Sequence, residues 1–183
     1  TWFSSALWPF ATLGWPEDKA TFEKFWGIID SPKALQVAGK DNLRQQSAMW
    51  QAMLISAELP STRQIMIHGF ITSGGQKMSK STGNVIDPYA IVDEYGVDAL
   101  RLFLARHIHP FEDSDFTMEK FKESYNADLA NGLGNLSARI LTLAEANLTE
   151  AIKKPEPVPE DFPAIYTSAF DRYDYNAACD YVW

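Results

Sequence analysis

Two short apolar runs set the strongest limit on what this chain can build. Ala34–Ala38 leads into Gly39, and Ile65–Ile67 leads into His68-Gly69. Between them apolar residues fall at Leu43, Met49, Trp50, Met53, Leu54 and Ala57, which is helical spacing, and Pro60 stops the pattern. Strand, helix, strand in that order is the unit of a parallel sheet. Both runs read as buried strands, and Gly39 suits a tight turn after the first. Ahead of them, Thr1–Trp15 reads as a short strand, a turn and a packed loop. Pro16–Trp26 reads as a short amphipathic helix with Phe22, Phe25 and Trp26 on one face.

The second half of the chain has a different rhythm. A polar, glycine-bearing loop spans Thr72–Asn84, Asp87-Pro88 introduces a helix to about Tyr95, and Asp98 caps another to about His107. After a loop through Pro110 and Asp115, Thr117 is placed to cap a long helix. Phe121, Tyr125, Leu129, Leu133, Leu136, Ile140 and Leu143 then follow in steps of three and four, the stripe of a helix buried in a bundle. Gly132 and Gly134 each weaken a helix by roughly 1 kcal/mol relative to Ala, which points to close packing there. Lys153–Pro163 holds four prolines and reads as a linker, and Tyr166–Trp183 begins a further helix. The fold expected is α/β followed by all-α, with residues 1–116 and 117–183 as its two parts.

Composition narrows the function classes without choosing one. Hydrophobic residues make up 46% of the 183 and aromatics 13%, enough for a packed core. No apolar run is long enough to span a bilayer and no secretory signal is evident, so neither a membrane partner nor export is expected. One cysteine, Cys179, gives no disulfide framework and fits a reducing compartment, the cytoplasm. A net charge of −8 argues against a broad basic surface of the kind that grips DNA. His68, His107, His109 and Cys179 lack ligand spacing, so no metal site is expected. The absence of an initial Met, and a last residue inside an apolar pattern, make the chain read as an internal piece of a longer protein.

The strongest chemical signal is Lys77-Met78-Ser79-Lys80-Ser81, with Gly74-Gly75 before it and Gly83-Asn84 after it. Two lysines among small residues and glycines make a loop with two cationic tips. Such a loop can deliver charge to a triphosphate as charge builds up during attack on the α-phosphorus. A solvated surface loop is the alternative, but five specified residues arise by chance in a chain this size with odds of about 1 in 10,000.

That pentapeptide, with Gly83-Asn84-Val85-Ile86-Asp87-Pro88 behind it, resembles the second signature of class I aminoacyl-tRNA synthetases. The resemblance covers nearly the whole chain and implies the second half of a Rossmann-type catalytic domain in residues 1–116, then the start of a helical anticodon-binding domain. It implies ATP as substrate with Mg2+, tRNA and an amino acid as partners, and no DNA. Lys77 and Lys80 are then the catalytic cations. Val37-Ala38-Gly39-Lys40-Asp41 resembles the family's ribose-binding turn, which assigns the ribose to Gly39 and Asp41. Ile67, His68, Gly69 and Met78 fall beside the adenine.

The blocks Trp50–Leu54, His68–Ile71, Glu112–Phe116 and Tyr125–Leu136 look most like the methionine-specific branch, which implies a methionine tRNA. Thr1–Phe10 looks instead like the valyl and related branched-chain enzymes. Trp2, Gln45 and Gln46 are the implied amino-acid pocket. The methionine branch usually carries Phe-His where this chain has the two glutamines, whose amides need partners of their own. Two other classes compete: an adenylate-forming enzyme without tRNA, against which the helical region after residue 117 speaks, and a non-catalytic tRNA-binding paralogue, against which both lysines speak. The family's first signature is expected upstream of Thr1, so the 183 residues alone are expected to be inactive.

Overall fold

Helix starts in this chain are written in short polar side chains, and a computed structural model shows most of them in use. It describes residues 2–79, 81–154 and 162–183. The chain divides into two compact units, Thr1–Phe70 and Ile71–Trp183.

In the first unit the opening aromatic stretch is helical, not a strand and a loop: α1 is Trp2–Ala6 and α2 is Trp8–Thr12. Pro9 falls in the first turn of α2, where a missing N–H breaks no helical bond. Helix α3, Lys19–Phe25, is capped by Asp18, whose carboxylate accepts the Thr21 amide at 3.0 Å. Phe22 and Trp26, four residues apart, are buried, but Phe25 points outward at 56% exposure, so the expected three-ring face is a two-ring face. These rings join Phe10, Trp50 and Leu54 in one cluster, and the buried Trp26 indole donates to the Pro60 carbonyl at 2.8 Å. A small hairpin, β1 (Gly27–Ile28) with β2 (Ser31–Pro32), follows α3.

Strands β3 (Leu35–Gly39) and β4 (Gln64–His68) pair in parallel, from Leu35 opposite Gln64 to Gly39 opposite His68. The strand-helix-strand unit is therefore present. The strands are not buried on both faces, though: Val37 is 58% exposed, since side chains alternate and among the described residues each strand pairs only with the other. The connecting helix also differs from one regular α-helix. It runs as a 3-10 turn (Lys40–Asn42), a π-helical turn (Gln45–Met49) and then α4 (Trp50–Ser56). The π turn shifts the buried face, so Trp50 and Leu54 go inside while Leu43 and Met49 are exposed.

In the second unit the segment expected as a plain loop begins as a hairpin. Strand β5 (Ile71–Ser73) pairs antiparallel with β6 (Gln76–Lys77) across Gly74-Gly75, whose φ angles of 61° and 75° are open to glycine and strained for other residues. Asp87 caps α5 (Pro88–Tyr95) through the Tyr89 amide. Helix α6 (Val97–His107) begins after Gly96, with Asp98 in its first turn and not at the cap. Strand β7 (Ser114–Asp115) lies parallel to β5. Thr117 caps α7 (Met118–Ser124) by accepting the Lys120 amide at 3.2 Å. The chain continues as a ten-residue π-helix, Tyr125–Gly134, and then α8 (Asn135–Asn147).

Phe121, at 1% exposure, centres a core with Ile91, Ala99, Leu100, Phe103 and Phe116. Tyr125 and Leu129 pack on it. The rest of the expected stripe, Leu133, Leu136, Ile140 and Leu143, is more than half exposed. Most of the Pro-rich linker, residues 155–161, lies outside the described residues. The last helical stretch is two helices, α9 (Ala164–Asp171) and α10 (Tyr175–Val182). Tyr173 at φ 58° breaks them, and Asp174 caps the second. Asn176 then seals the end of α6, donating to the carbonyls of Ala105, Arg106 and Ile108 within 3.1 Å. Among the described residues no helix is long and apolar enough to cross a membrane. Taken by class, the molecule is a mixed α/β region followed by a helical region.

The two glycines of the long helix are explained by its π geometry and less by helix packing. At both positions the carbonyl five residues back lies close to where a Cβ would stand. A Cβ at Gly134 would lie 2.8 Å from the Leu129 oxygen, and one at Gly132 3.2 Å from the Ala127 oxygen. Helix propensity alone makes Gly134→Ala stabilising by about 1 kcal/mol. The backbone contact reverses that sign, and a loss of about 1–3 kcal/mol is expected in urea denaturation, the range for forced overpacking. A gain in stability would show that the segment relaxes to an ordinary α-helix at no cost.

Candidate active site

Parallel pairing places the carboxyl ends of β3 and β4 side by side, with Gly39 opposite His68. In open α/β sheets this end of the strands is where ligands bind. Gly39 has an ordinary φ of −69°, so backbone freedom is not why glycine stands here. A Cβ here would fall 2.9 Å from the Asp41 Oδ1 and 3.5 Å from the His68 ring, so glycine leaves the Asp41 carboxylate undisturbed beside the strand end. Asp41 is exposed in the 3-10 turn that follows. The His68 Nδ1 lies 2.9 Å from the Gly69 carbonyl, which can only accept, so Nδ1 is the donor of that bond. Ile67 is half-buried and Gly69 buried beside it. Lys40 stacks its ammonium over the Phe70 ring at 4.7 Å. Gly39, Asp41 and His68 are thus brought together by one backbone register.

Gln45 and Gln46 lie on the π turn after this edge, both half-buried. The side-chain oxygen of each is buried without a hydrogen-bond partner among the described residues, as is the Trp50 indole nitrogen. Buried polar atoms left without partners cost about 1–3 kcal/mol apiece, so these atoms fit a place where a polar ligand or water completes the bonding. Gln51, by contrast, is fully engaged, donating to the Gln46 carbonyl and accepting the Thr62 amide. Trp2 is half-buried against the aromatic cluster of this unit.

The second unit carries the lysine loop. Lys77 ends β6 and is exposed, while Met78 packs against the core around Phe121. Lys80 lies outside the described residues. The turn itself is closed by a residue to which no role was assigned from sequence. The Asn84 Oδ1 accepts the Ser79 amide at 2.9 Å and the Thr82 hydroxyl at 2.7 Å, and its Nδ2 donates to the Lys77 carbonyl at 3.2 Å. The Thr82 amide also donates to the Ser79 carbonyl at 3.2 Å. Asparagine is a turn-forming residue by side-chain bonding to nearby backbone, and its position after Gly83 was the available signal.

Asp115 was missed for a different reason, since its partners at the loop base are some forty residues away in sequence. Its carboxylate accepts the Gly75 amide at 2.8 Å, the Thr72 hydroxyl at 2.9 Å and the Lys120 ammonium at 3.1 Å. The Gly75 bond first, then Lys120 and Thr72, hold its carboxyl below the usual value. A lowered pKa means the tether is complete at neutral pH and is lost only as pH falls through that lowered value. Burial pushes the Cys179 thiol up, which leaves it protonated and unsuited to nucleophilic work. Among the described residues no group of three or more His, Cys, Asp or Glu side chains is placed to hold a metal ion.

Asn84 spans the loop with three bonds, so Asn84→Ala should free Ser79 and Lys77 without unfolding the unit. Amide exchange over residues 77–84 should quicken by about tenfold, the effect of losing roughly 1.4 kcal/mol of local bonding. Unchanged protection would mean that the loop is held from elsewhere.

Residues 9–141 match the family described as tRNA synthetases class I (M). Methionine--tRNA ligase of Thermosynechococcus vestitus is 44% identical over 146 residues, covering 78% of this chain and 27% of that protein. The ligase of the same name from Rickettsia typhi is 40% identical over 146 residues, covering 80% of this chain and 28% of its own length. The structure of Mycobacterium tuberculosis methionyl-tRNA synthetase in complex with methionyl-adenylate superposes with a TM-score of 0.71 at 32% identity, over 95% of this chain and 35% of that one. The chain thus spans roughly a third or less of the length of these relatives. With a lysine loop, a glycine-cleared strand end and a family match over most of its length, the chain belongs to the class I tRNA synthetases, in their methionyl-tRNA synthetase branch.

Proposed function

We propose that the whole protein activates methionine with ATP and transfers it to tRNA. The observation that carries this reading is the strand end cleared at Gly39 beside Asp41 and His68, in a chain that also bears the lysine loop. In the first step a methionine carboxylate oxygen attacks the α-phosphorus of ATP, the bond to the β,γ-phosphates breaks, and pyrophosphate leaves. In the second, a hydroxyl of the terminal tRNA ribose attacks the adenylate's carbonyl carbon and AMP leaves.

The resemblance and the chemistry of each side chain set the parts. Gly39 lets a ribose approach the backbone, and the Asp41 carboxylate accepts its hydroxyls. Ile67, His68, Gly69 and Met78 border the adenine. Lys77 and Lys80 meet the phosphate charge as pyrophosphate separates, where fixed cations lower the barrier most. Trp2 supplies an apolar wall to the methionine pocket, and Gln45 and Gln46 offer their unpaired oxygens to its ammonium group. Magnesium arrives with the ATP phosphates and neutralises part of their charge. Residues 1–116 then form the later half of the catalytic domain and 117–183 the start of the anticodon-binding helices. The reaction belongs in the cytoplasm, where tRNA is charged.

Lys80→Ala in the whole protein should slow adenylate formation by about 100-fold or more in single-turnover kinetics, the scale for one oriented charge partner. ATP affinity should change far less. An unchanged rate would reduce Lys80 to a surface lysine. Pyrophosphate exchange should be fastest with methionine among methionine, valine, leucine and isoleucine. Preference for valine would overturn the substrate and give weight to Gln45 and Gln46.

A further inference from the structure

The lysine loop stands on a hairpin too small to hold itself. Strand β5 has three residues and β6 two, and an isolated two-stranded hairpin is marginal in water at any length. What fastens it lies on β7. Thr72 pairs with Asp115 in the ladder, and the Phe116 amide donates to the Thr72 carbonyl at 2.9 Å. One Asp115 oxygen, Oδ1, reaches both parts of the hairpin, taking the Thr72 hydroxyl on the strand and the Gly75 amide in the turn. Oδ2 takes the Lys120 ammonium from the first turn of α7. The carboxylate is thus bonded two residues before Lys77, and its charge is compensated by Lys120, so that it does not offset the cation it supports.

We propose that Asp115 is a positioning residue for the lysine loop: it locks the Gly74-Gly75 turn and thereby sets where the backbone delivers Lys77 and the lysines' loop. This rests on the reading of that loop as the phosphate-binding element. A charge partner acts on a transition state only when held within about 0.5 Å of its productive place, and displacement by about 1 Å can lower a rate 100-fold. Thr72, Gly75 and Lys120 bond the carboxylate from three separate backbone positions and engage both of its oxygens. A surface aspartate with a purely solvating role has no need of that arrangement.

The test is made on the whole protein, with two readouts: amide exchange over residues 72–79 and single-turnover formation of methionyl-adenylate. Asp115→Ala should raise exchange over 72–79 at least tenfold and slow adenylation about 10- to 100-fold, with the KM for methionine within about twofold. Asp115→Asn keeps an oxygen to accept from Gly75 and Thr72, and should stay within about threefold of wild type in both readouts. Thr72→Val removes one donor and leaves the carboxylate, and should fall between them, which keeps the proposal testable if Asp115→Ala does not fold. An active wild type with an equally active Asp115→Ala overturns the proposal alone. So do equal losses in Asp115→Ala and Asp115→Asn, or slowed adenylation with unchanged protection over 72–79. A wild type that forms no methionyl-adenylate overturns the functional reading, and the proposal falls with it.

Discussion

The parallel register of β3 and β4 is the constraint on which the first unit depends. Gly39 opposite His68 is the last rung of that ladder, and the parts proposed for Gly39, Asp41 and His68 depend on it. A slip of one residue would put Ala38 opposite His68 and turn the alternate face of the strand toward Asp41. A Cβ at Gly39 would meet the Asp41 Oδ1 at 2.9 Å, so a larger residue there would displace the Asp41 carboxylate from the strand end. The aromatic cluster around Trp26 and Trp50 holds the register in turn, since Trp50 begins the helix that carries the chain from one strand to the other. Packing in this unit therefore serves to fix a backbone edge, and the edge is what a ligand meets.

The second unit solves a comparable problem with polar bonds laid over an aromatic base. Phe103, Phe116, Tyr95 and Tyr125 surround Phe121 with centroids 5.1 to 6.3 Å from it, Tyr95 and Phe103 edge-on and Phe116 stacked. Met78 packs onto this cluster directly after Lys77. Asp115 then fastens the hairpin before the lysine and Asn84 closes the turn after it. Lys77 is thus delivered from a backbone held on both sides, while its own side chain stays exposed. A flexible cation on a fixed stem suits a charge that develops late in a reaction.

The π turns give the two units a common device. In the first, the turn at Gln45–Met49 leaves the oxygens of Gln45 and Gln46 buried and unpaired. In the second, the longer π-helix sets the Asp128 carbonyl where the Trp183 indole donates to it at 3.2 Å, while the Asp128 carboxylate lies 2.6 Å from His107 and 3.5 Å from Arg106. Widened helical turns recur at functional positions because they re-aim side chains and loosen carbonyls from the regular ladder.

Local signals in the sequence determined a good deal by themselves. Asp87 and Thr117 act as caps because a short acceptor before a helix has few other places to bond. The apolar runs around residues 36 and 66 became paired strands, and the Lys77–Ser81 loop identified the family from five residues. Tertiary structure decided what depends on distant partners. It made helices of Trp2–Thr12 by giving Phe10 a cluster to enter, and it turned Phe25 outward because Phe22 and Trp26 already filled the facing side. It placed π turns where regular spacing predicts plain α-helix, for periodicity shows which residues are apolar and not which carbonyl each amide will choose. Asp115 shows the division most clearly. Its chemistry is written in one letter, but its role comes from a glycine amide and a threonine some forty residues away, and only the folded chain puts them within 3 Å.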